Sequence, residues 1–285
     1  MLNQIGICYF SPTHTTRKIC QAIASGKGEK NPKILNITLP SVRKELISMP
    51  DSAMAGINHL IVGAPVYEGK LPVQVIECLN ALHGKDKKCT LVVVYGNRDY
   101  GIALRHMAEI LTGKGFTITA AGAFIGQHSY SNVIPVAIGR PDEKDLELAA
   151  QFGTGAIGVS SYLTAEDMPV QIDMFSKSKG YHPLKPVFYP EKCSQCASCA
   201  EVCPTGIIDP ETGGYIHRNA TDDCIGCMAC VFNCENEARM TKPGFAMKTR
   251  IKYVLRKAAV ERLEPLTVFK EPQVQAAKTG RCDHI

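Results

Sequence analysis

The sequence lacks a long hydrophobic run, a basic leader and an excess of charge, and each absence excludes a class of protein. No stretch approaches the roughly 18 apolar residues of a membrane-spanning helix, so we expect no membrane span. Residues 1–10 contain no Lys or Arg ahead of their apolar residues, which argues against a signal peptide and predicts a cytoplasmic chain. Charged residues make up 21% and hydrophobic residues 45% of the chain, which excludes disordered, collagen-like and coiled-coil chains. At roughly 150 residues a domain, the length of 285 residues predicts about two domains.

Positive charge is concentrated at one end of the chain. The formal net charge is +5, and residues 242–285 contain ten Lys and Arg against four Asp and Glu. The remaining residues are nearly neutral, so we expect no nucleic-acid partner.

The cysteines are numerous and unevenly distributed. There are 13, and an odd number in a cytoplasmic chain argues against a disulfide framework. Eight of them lie between Cys193 and Cys234, and such clustered thiols in a reducing compartment indicate a metal site. The others are predicted to be small buried hydrophobic residues. They are Cys8, Cys20, Cys78, Cys89 and Cys282.

Strands and helices alternate through the first part of the chain. Ile- and Val-rich strands without clean alternation predict a parallel sheet buried on both faces. Alternation with helices predicts a doubly wound α/β fold of five parallel strands, in which ligands bind beyond the carboxyl ends of the strands. The predicted strands are 2–9, 33–38, 57–64, 90–95 and 117–125. The predicted helices are 15–25, 73–82, 102–112 and 142–163.

Prolines divide the rest of the chain. Pro169, Pro183, Pro186 and Pro190 indicate a linker before a small α+β cysteine-rich unit. The predicted divisions are a first domain at 1–165, the linker at 166–188, the cysteine-rich unit at 189–242 and a basic helix and tail at 243–285.

The basic segment contains an amphipathic pattern. A helix is predicted over 246–263, and the residues beyond Pro265 are predicted to be loosely ordered. The apolar side of this helix would consist of Met247, Ile251, Val254, Leu255 and Ala258.

Two cysteine runs repeat one spacing. Residues 193–204 read C-x2-C-x2-C-x3-C-P, and residues 224–234 repeat the spacing with Glu235 in place of the proline. The runs resemble those of bacterial two-cluster ferredoxins, in which three cysteines of each run bind one [4Fe–4S] cluster and the fourth binds the other. Two zinc sites, which also use C-x2-C pairs, are the alternative.

The ferredoxin resemblance implies two crossed ligand sets. One cluster would be bound by Cys193, Cys196, Cys199 and Cys234. The other would be bound by Cys224, Cys227, Cys230 and Cys203. Backbone N–H groups directed at the sulfurs would tune the reduction potentials of both clusters. The proline missing after the second run is not a ligand, so we expect ligation to be kept.

The loop after the first predicted strand is rich in hydroxyl groups. Hydroxyls and free N–H groups at a helix N-terminus suit a phosphate, whereas no Walker motif for a nucleoside triphosphate is present. A simple helix cap is the alternative. The loop resembles the flavodoxin phosphate loop, with a histidine where flavodoxins usually have glycine. This resemblance implies an FMN phosphate site at Ser11, Thr13, His14, Thr15 and Thr16.

Two further loops follow the third and fourth predicted strands. In flavodoxins the corresponding loops hold the isoalloxazine ring, often against an aromatic side chain. The resemblance implies Tyr67 and Tyr100 as flavin neighbours and Asn97 as a hydrogen-bond partner of the ring. For each tyrosine, an ordinary surface-loop position is the alternative. The other FMN-binding residues implied are Pro65, Val66, Gly69, Gly96 and Arg98.

Two other patterns have less specific interpretations. Residues 125–130, which include His128, follow the fifth strand and would face the flavin, the ferredoxin unit or the linker. Residues 153–158 match G-x-G-x-x-G but lie inside a helical pattern, which predicts close helix packing rather than an NAD site.

The whole chain resembles the fused flavodoxin–ferredoxin proteins of anaerobic bacteria and archaea, over residues 2–130 and 187–240. This resemblance implies an electron-transfer protein in which FMN and two [4Fe–4S] clusters relay electrons between external partners. The alternative is an FMN-dependent oxidoreductase that reduces a small molecule with electrons from the clusters. The expected partner is a redox protein or a small-molecule electron acceptor. The sequence is compatible with a homodimer. The basic segment suits docking in a larger redox complex or packing on the protein itself.

Overall fold

A computed structural model of the chain describes residues 4–85, 87–156, 162–171 and 184–270. Most of the predicted linker, residues 157–161 of the predicted helix at 142–163, and the tail with Cys282 lie outside these residues. Within them, no helix combines the length and apolar character needed to cross a bilayer.

The first part of the chain alternates strands and helices as the sequence predicts. Its strands are β1 (Gln4–Tyr9), β2 (Lys33–Asn36), β3 (Ile57–Pro65), β4 (Lys88–Tyr95) and β5 (Thr117–Ile125). Its helices are α1 (Thr15–Gly26), α2 (Pro40–Ser48), α3 (Pro50–Ala53), α4 (Val73–Ala81), α5 (Ala103–Gly113) and α6 (Glu143–Gly155). The short helices α2 and α3 are additions to the prediction, and each has proline in its first turn.

The remaining described strands and α-helices belong to the cysteine-rich unit and the C-terminal segment. They are β6 (Val187–Phe188), α7 (Ser198–Glu201), α8 (Ala229–Phe232), β7 (Arg239–Met240), α9 (Phe245–Leu255) and β8 (Leu266–Val268). Strands β6 and β7 pair antiparallel and form a sheet of their own.

Strands β1 to β5 form a parallel sheet in the order β2-β1-β3-β4-β5. This is the flavodoxin-like doubly wound order, and it confirms the predicted α/β fold. In the ladder Tyr9 pairs with Gly63, and Tyr95 pairs with Ile125. The loops after β1, β3, β4 and β5 therefore leave the sheet at one edge.

The prediction of a loosely ordered segment beyond Pro265 is wrong for its first residues. Strand β8 pairs antiparallel with β5, where Leu266 lies opposite Ala123. It becomes the sixth strand of the sheet and covers the open edge of β5, whose unpaired backbone groups would otherwise face solvent. The Phe269 ring then packs on Phe152 of α6, with the ring centroids 5.2 Å apart.

Helix α6 is shorter than predicted. It begins at a capping box, in which the Asp142 carboxylate accepts the N–H of Asp145 at 3.1 Å, and it ends at Gly155. Leu163, predicted as the last helical residue, instead forms an isolated β-bridge with Ile118. At Leu163, pairing with the sheet takes the place of the predicted helical conformation.

The first glycine of the G-x-G-x-x-G pattern packs α6 against α1, as predicted, whereas Gly158 lies outside the described residues. A Cβ atom on Gly153 would stand 2.1 Å from the carbonyl oxygen of Ile23 in α1. A Cβ on Gly26 would stand 1.9 Å from the carbonyl oxygen of Ala150. The two backbones therefore touch where only glycine fits.

Four of the scattered cysteines are buried in the two hydrophobic cores beside the sheet, as predicted. They are Cys8, Cys20, Cys78 and Cys89. The predicted C-terminal helix is present as α9, although it ends at Leu255. Its buried residues Ile251 and Leu255 pack with Ala258 against Val136.

Candidate functional site

A cavity of about 250 Å³ lies at the sheet edge where the four loops converge. Its walls from the sheet and these loops include Thr13, Thr15, Pro65, Val66, Tyr67, Glu68, Val94, Tyr95, Gly96, Arg98, Asp99 and residues 126–130. A second group of residues covers the cavity from the C-terminal half of the chain. These are Leu184, Gly226, Met247, Arg250, Ile251, Val254 and Leu255.

The structure brings part of the implied FMN site to this cavity. The implied residues that line it are Thr13, Thr15, Pro65, Val66, Tyr67, Gly96 and Arg98. The implied residues outside its lining are Ser11, His14, Thr16, Gly69, Asn97 and Tyr100.

His14 has a backbone conformation that glycine adopts more readily than other residues. Its φ is 66°, in the left-handed region that glycine occupies easily. Ser11 caps the helix instead of facing the cavity, since its Oγ accepts the N–H of Arg17 at 3.0 Å. The Ser11 N–H itself donates to Oγ1 of Thr38 at 2.8 Å. The helix-cap alternative therefore holds for Ser11.

Unused polar atoms remain at the start of α1. Thr16 Oγ1 and Arg17 Nε are buried and have no hydrogen-bond partner among the described residues. The first N–H groups of an α-helix also lack intrahelical partners. The free N–H groups and the positive end of the helix dipole together fit a phosphate beside Thr13 and Thr15, which line the cavity.

The loops after β3 and β4 are fastened to each other. The Ile102 N–H donates to the carbonyl oxygen of Gly69 at 2.9 Å. A Cβ on Gly101 would stand 2.3 Å from that oxygen, so the approach requires glycine. Tyr100 is buried below this junction, and its ring meets the Tyr95 ring edge-on at 5.6 Å. Tyr95, rather than Tyr100, therefore lines the cavity.

The Asn97 carboxamide is fully engaged away from the cavity. Its nitrogen donates to the carbonyl oxygens of Ala258 at 2.8 Å and Glu261 at 2.6 Å. Its oxygen accepts the N–H of Leu263 at 3.1 Å and Nη1 of Arg140 at 3.4 Å. In this arrangement Asn97 holds the C-terminal segment and has no free donor for a flavin ring.

The loop after β5 supplies wall residues that the sequence left undecided. His128 packs so closely on Gly96 that a Cβ there would stand 2.4 Å from the imidazole Cδ2. His128 Nδ1 accepts the N–H of Tyr130 at 3.0 Å, which leaves the proton of the neutral ring on Nε2. Burial, together with nearby Arg98, lowers the pKa of His128 to about 4, so the ring is neutral at pH 7.

The eight clustered cysteines line two separate cavities, which we call the two cages. One small cavity is lined by Cys203, Cys224, Cys227 and Cys230. A separate cavity is lined by Cys193, Cys196, Cys199 and Cys234. The fourth cysteine of each run thus lies with the first three of the other run, which is the crossed arrangement that the ferredoxin resemblance implies.

The backbone around the cages suits sulfur ligands. The N–H of Gln195 donates to Sγ of Cys193 at 3.4 Å, and the N–H of Ala238 donates to Sγ of Cys234 at 3.2 Å. Gln195 has a φ of 56°, a left-handed conformation that turns the chain tightly around the cage. Backbone donors of this kind stabilise thiolate ligands.

Arg239 is shared by the two cages and was not identified from the sequence. It lines both cavities, and its side chain is 1% exposed. Burial opposes its charge, but the thiols of Cys230 and Cys199 outweigh this effect and raise the pKa of Arg239 above its ordinary value. Arg239 lies in a short strand after the last cysteine of the two runs, and no motif in the sequence marks it as a neighbour of both cages.

Comparison with known proteins identifies the cysteine-rich unit. The 4Fe-4S dicluster domain family matches residues 192–239. Pyruvate synthase subunit PorD of Methanothermobacter marburgensis is 33% identical over 63 residues, which are 22% of this chain and 72% of PorD. The arsenate respiratory reductase iron-sulfur subunit ArrB of Shewanella sp. (strain ANA-3) is 38% identical over 53 residues, or 18% of this chain. The chain spans only 22% of the length of ArrB.

Solved structures align with the first part of the chain at low identity. A flavodoxin from the domain Archaea covers 54% of this chain and 95% of its own, with 17% identity and a TM-score of 0.38. The Flv1 flavodiiron core from Synechocystis sp. PCC6803 also covers 54% of this chain but only 35% of its own, with 19% identity and a TM-score of 0.41. The flavodoxin-like assignment rests on the strand order of β1 to β5. Residues 192–239 therefore belong to the 4Fe-4S dicluster domain family, and the chain joins this domain to a flavodoxin-like domain.

Proposed function

We propose that this chain relays electrons between two [4Fe–4S] clusters and FMN, and so between external redox partners. The observation that carries the proposal is the position of Gly226. It lies between the cage residues Cys224 and Cys227, and it also lines the cavity at the sheet edge. A cluster in that cage and a flavin in that cavity would be immediate neighbours.

The cavity offers suitable groups for each part of FMN. Thr13, Thr15 and the start of α1 would bind the phosphate, and the loops that contain Tyr67 and Gly96 would hold the ring. FMN would supply one- or two-electron exchange, and each cluster would exchange one electron. The protein's part is to hold these groups in fixed proximity and to exclude water from the cavity.

The two cages differ in their access to solvent, which suggests an order for the relay. Cys227 and Cys203 of the cage beside the cavity are buried, whereas Cys196 of the other cage is exposed. An external one-electron partner would therefore exchange electrons with the cluster bound by the Cys193 run. The cluster bound by the Cys224 run would pass them to or from FMN.

The covering of the cavity favours a relay over a reductase. Ile251 and Leu255 of α9, together with Gly226 and Leu184, line the cavity on the side away from the sheet. A small substrate would have to displace this cover to reach the flavin. The second candidate function, an FMN-dependent oxidoreductase, is favoured by one observation: Tyr67, Tyr95 and His128 bring polar groups to the cavity wall.

Cofactor content tests the first requirement of the proposal. Protein isolated without oxygen is expected to contain about eight irons and eight sulfides per chain, from the two-cluster ligand pattern, and one FMN. Zinc without acid-labile sulfide, or a chain without flavin after reconstitution, would contradict the assignment.

Rapid-mixing experiments test the relay itself. A one-electron protein donor is mixed with the loaded protein, and flavin reduction is followed by absorbance. Cys227→Ser, which alters the cage beside the cavity, is expected to slow flavin reduction, whereas Cys20→Ser, a buried cysteine outside both cages, leaves it unchanged. Equal rates in wild type and Cys227→Ser would show that electrons bypass this cluster. Steady turnover of a small molecule at the flavin would favour the reductase.

A further inference from the structure

Arg239 occupies the space between the two cysteine cages. It is the largest of the fully buried side chains and lines both cavities. One side borders Cys199 and Cys234, and the other borders Cys224 and Cys230. A single charged group therefore faces both candidate cluster sites.

Aromatic rings and main-chain carbonyls hold the guanidinium in place. It lies 5.0 Å from the Phe188 ring centroid and 4.8 Å from that of Tyr215. Its Nη2 donates to the carbonyl oxygens of Gly213 and Gly214. Among the ion pairs of the described residues, none joins a carboxylate to Arg239. The positive charge is thus fixed in position but not neutralised by an acidic side chain.

Two donors of this guanidinium are unused. Nε and Nη1 are buried and have no hydrogen-bond partner within the described part of the chain. An unpaired donor of a buried charged group is costly, so these atoms require acceptors. A [4Fe–4S] cluster with four thiolate ligands is anionic and carries sulfur acceptors on its surface. Loaded cages on both sides would satisfy the charge and the donors of Arg239 together.

We propose that Arg239 sets the reduction potentials of both clusters by stabilising the extra negative charge that each acquires on reduction. The inference rests on the two-cluster assignment in the proposed function. In each step one electron passes from the external donor to a cluster, which becomes more negative by one unit. No bond to Arg239 forms or breaks, and the guanidinium stays protonated throughout. Because the positive charge of Arg239 borders both cages, it raises the reduction potentials of both clusters.

Potentiometric titration monitored by electron paramagnetic resonance tests this role without measuring activity. Arg239→Gln removes the charge but keeps a polar side chain that can donate hydrogen bonds. For each cluster the equilibrium constant for reduction is expected to fall at least about tenfold, equivalent to about 59 mV for a one-electron couple. Arg239→Lys keeps the charge, and both potentials are expected to stay within about tenfold of wild type. Arg218→Met removes an exposed arginine of the same unit, and no shift is expected.

The outcomes separate this inference from the proposed function. If wild type holds fewer than two titrating clusters, the proposed function fails. If wild type holds two clusters and Arg239→Gln leaves either potential unchanged, only the role of Arg239 is overturned. If Arg239→Gln does not assemble its clusters, Arg239→Lys is the deciding variant. Reduction potentials close to those of wild type would support a charge role. A fall of more than tenfold in the equilibrium constant for reduction would overturn it.

Discussion

Asn97 donates a hydrogen bond of 2.8 Å from its buried side-chain nitrogen to the carbonyl oxygen of Ala258. The two residues are 161 positions apart and connect the loop after β4 to the segment after α9. Arg140 reinforces this junction, because its Nη1 donates to the Leu263 carbonyl at 2.9 Å while its Nε donates to Asp145 at 2.8 Å. The cover of the candidate flavin cavity is thus fastened to a loop that forms its wall.

Replacing Asn97 should loosen this cover. Asn97→Ala leaves buried carbonyl groups of the C-terminal segment without a donor, which is expected to lower the free energy of unfolding by about 1–3 kcal/mol. Amide hydrogen exchange in α9 should accelerate as well. Asn132→Ala is the matched control, since its exposed side chain makes one hydrogen bond to Thr241, and a cost within about 0.5 kcal/mol is expected. Equal costs for both variants would show that the junction does not hold the segment.

Thr13 should contribute to binding of the FMN phosphate. A hydrogen bond to a charged group is worth about 1.5–3 kcal/mol, so Thr13→Ala is expected to weaken FMN binding by about 10- to 150-fold. Riboflavin lacks the phosphate, and its affinity should be unchanged by the mutation. Ser11→Ala is the control, because it removes a helix cap and should affect both flavins alike. Equal weakening of FMN and riboflavin by Thr13→Ala would mean that the phosphate binds elsewhere.

Crossed ligation can be tested with the fourth cysteine of each run. Cys203 lies in the cage of Cys224, so Cys203→Ser should alter the cluster of that cage and spare the other. Cys234→Ser should do the reverse, because Cys234 lies in the cage of Cys193. Electron paramagnetic resonance and Mössbauer spectra of the two variants distinguish the clusters. A Cys203→Ser spectrum changed only in the cluster of the Cys193 run would contradict the crossed arrangement.

The buried imidazole of His128 predicts a loss of stability in acid. Burial and Arg98 lower its pKa to about 4, below the ordinary value of about 6.5. The unfolded chain therefore takes up the proton first, and the stability contributed by the neutral ring is lost as the pH falls from about 6.5 towards 4. Between pH 6.5 and 5, His128→Gln is expected to lose less stability than wild type, by at most about 1.4 kcal/mol per pH unit.

Thermal unfolding under anaerobic conditions at several pH values measures this difference. Burial lowers the pKa of His59 to about 3. Its contribution to the pH dependence of stability has the same sign in both proteins and cancels in the comparison. Parallel pH profiles for wild type and His128→Gln would show that the pKa of His128 is the same in the folded and unfolded states.

Much of the fold was predictable because its signals are local. Helix α1 begins at Thr15 as predicted, and β5 spans the predicted residues 117–125. Buried parallel strands require continuous apolar runs, and these runs are visible in the sequence. The seven implied FMN residues in the cavity lie at the end of β3, at the start of α1, or between the ends of β1, β3 and β4 and the helices that follow, where the fold class alone indicates a ligand site.

The sequence by itself determined the cysteine spacing, the alternation of strands and helices, and the loops that meet at the sheet edge, because each depends on residues close in the chain. Only the tertiary structure decided that Tyr100 lies in the core, that Asn97 holds the C-terminal segment and that β8 extends the sheet. It also decided that α9 covers the cavity and that Arg239 lies between the cages. These features depend on contacts between segments far apart in the chain. The local pattern around Asn97 or Arg239 does not encode the partner that gives either residue its role.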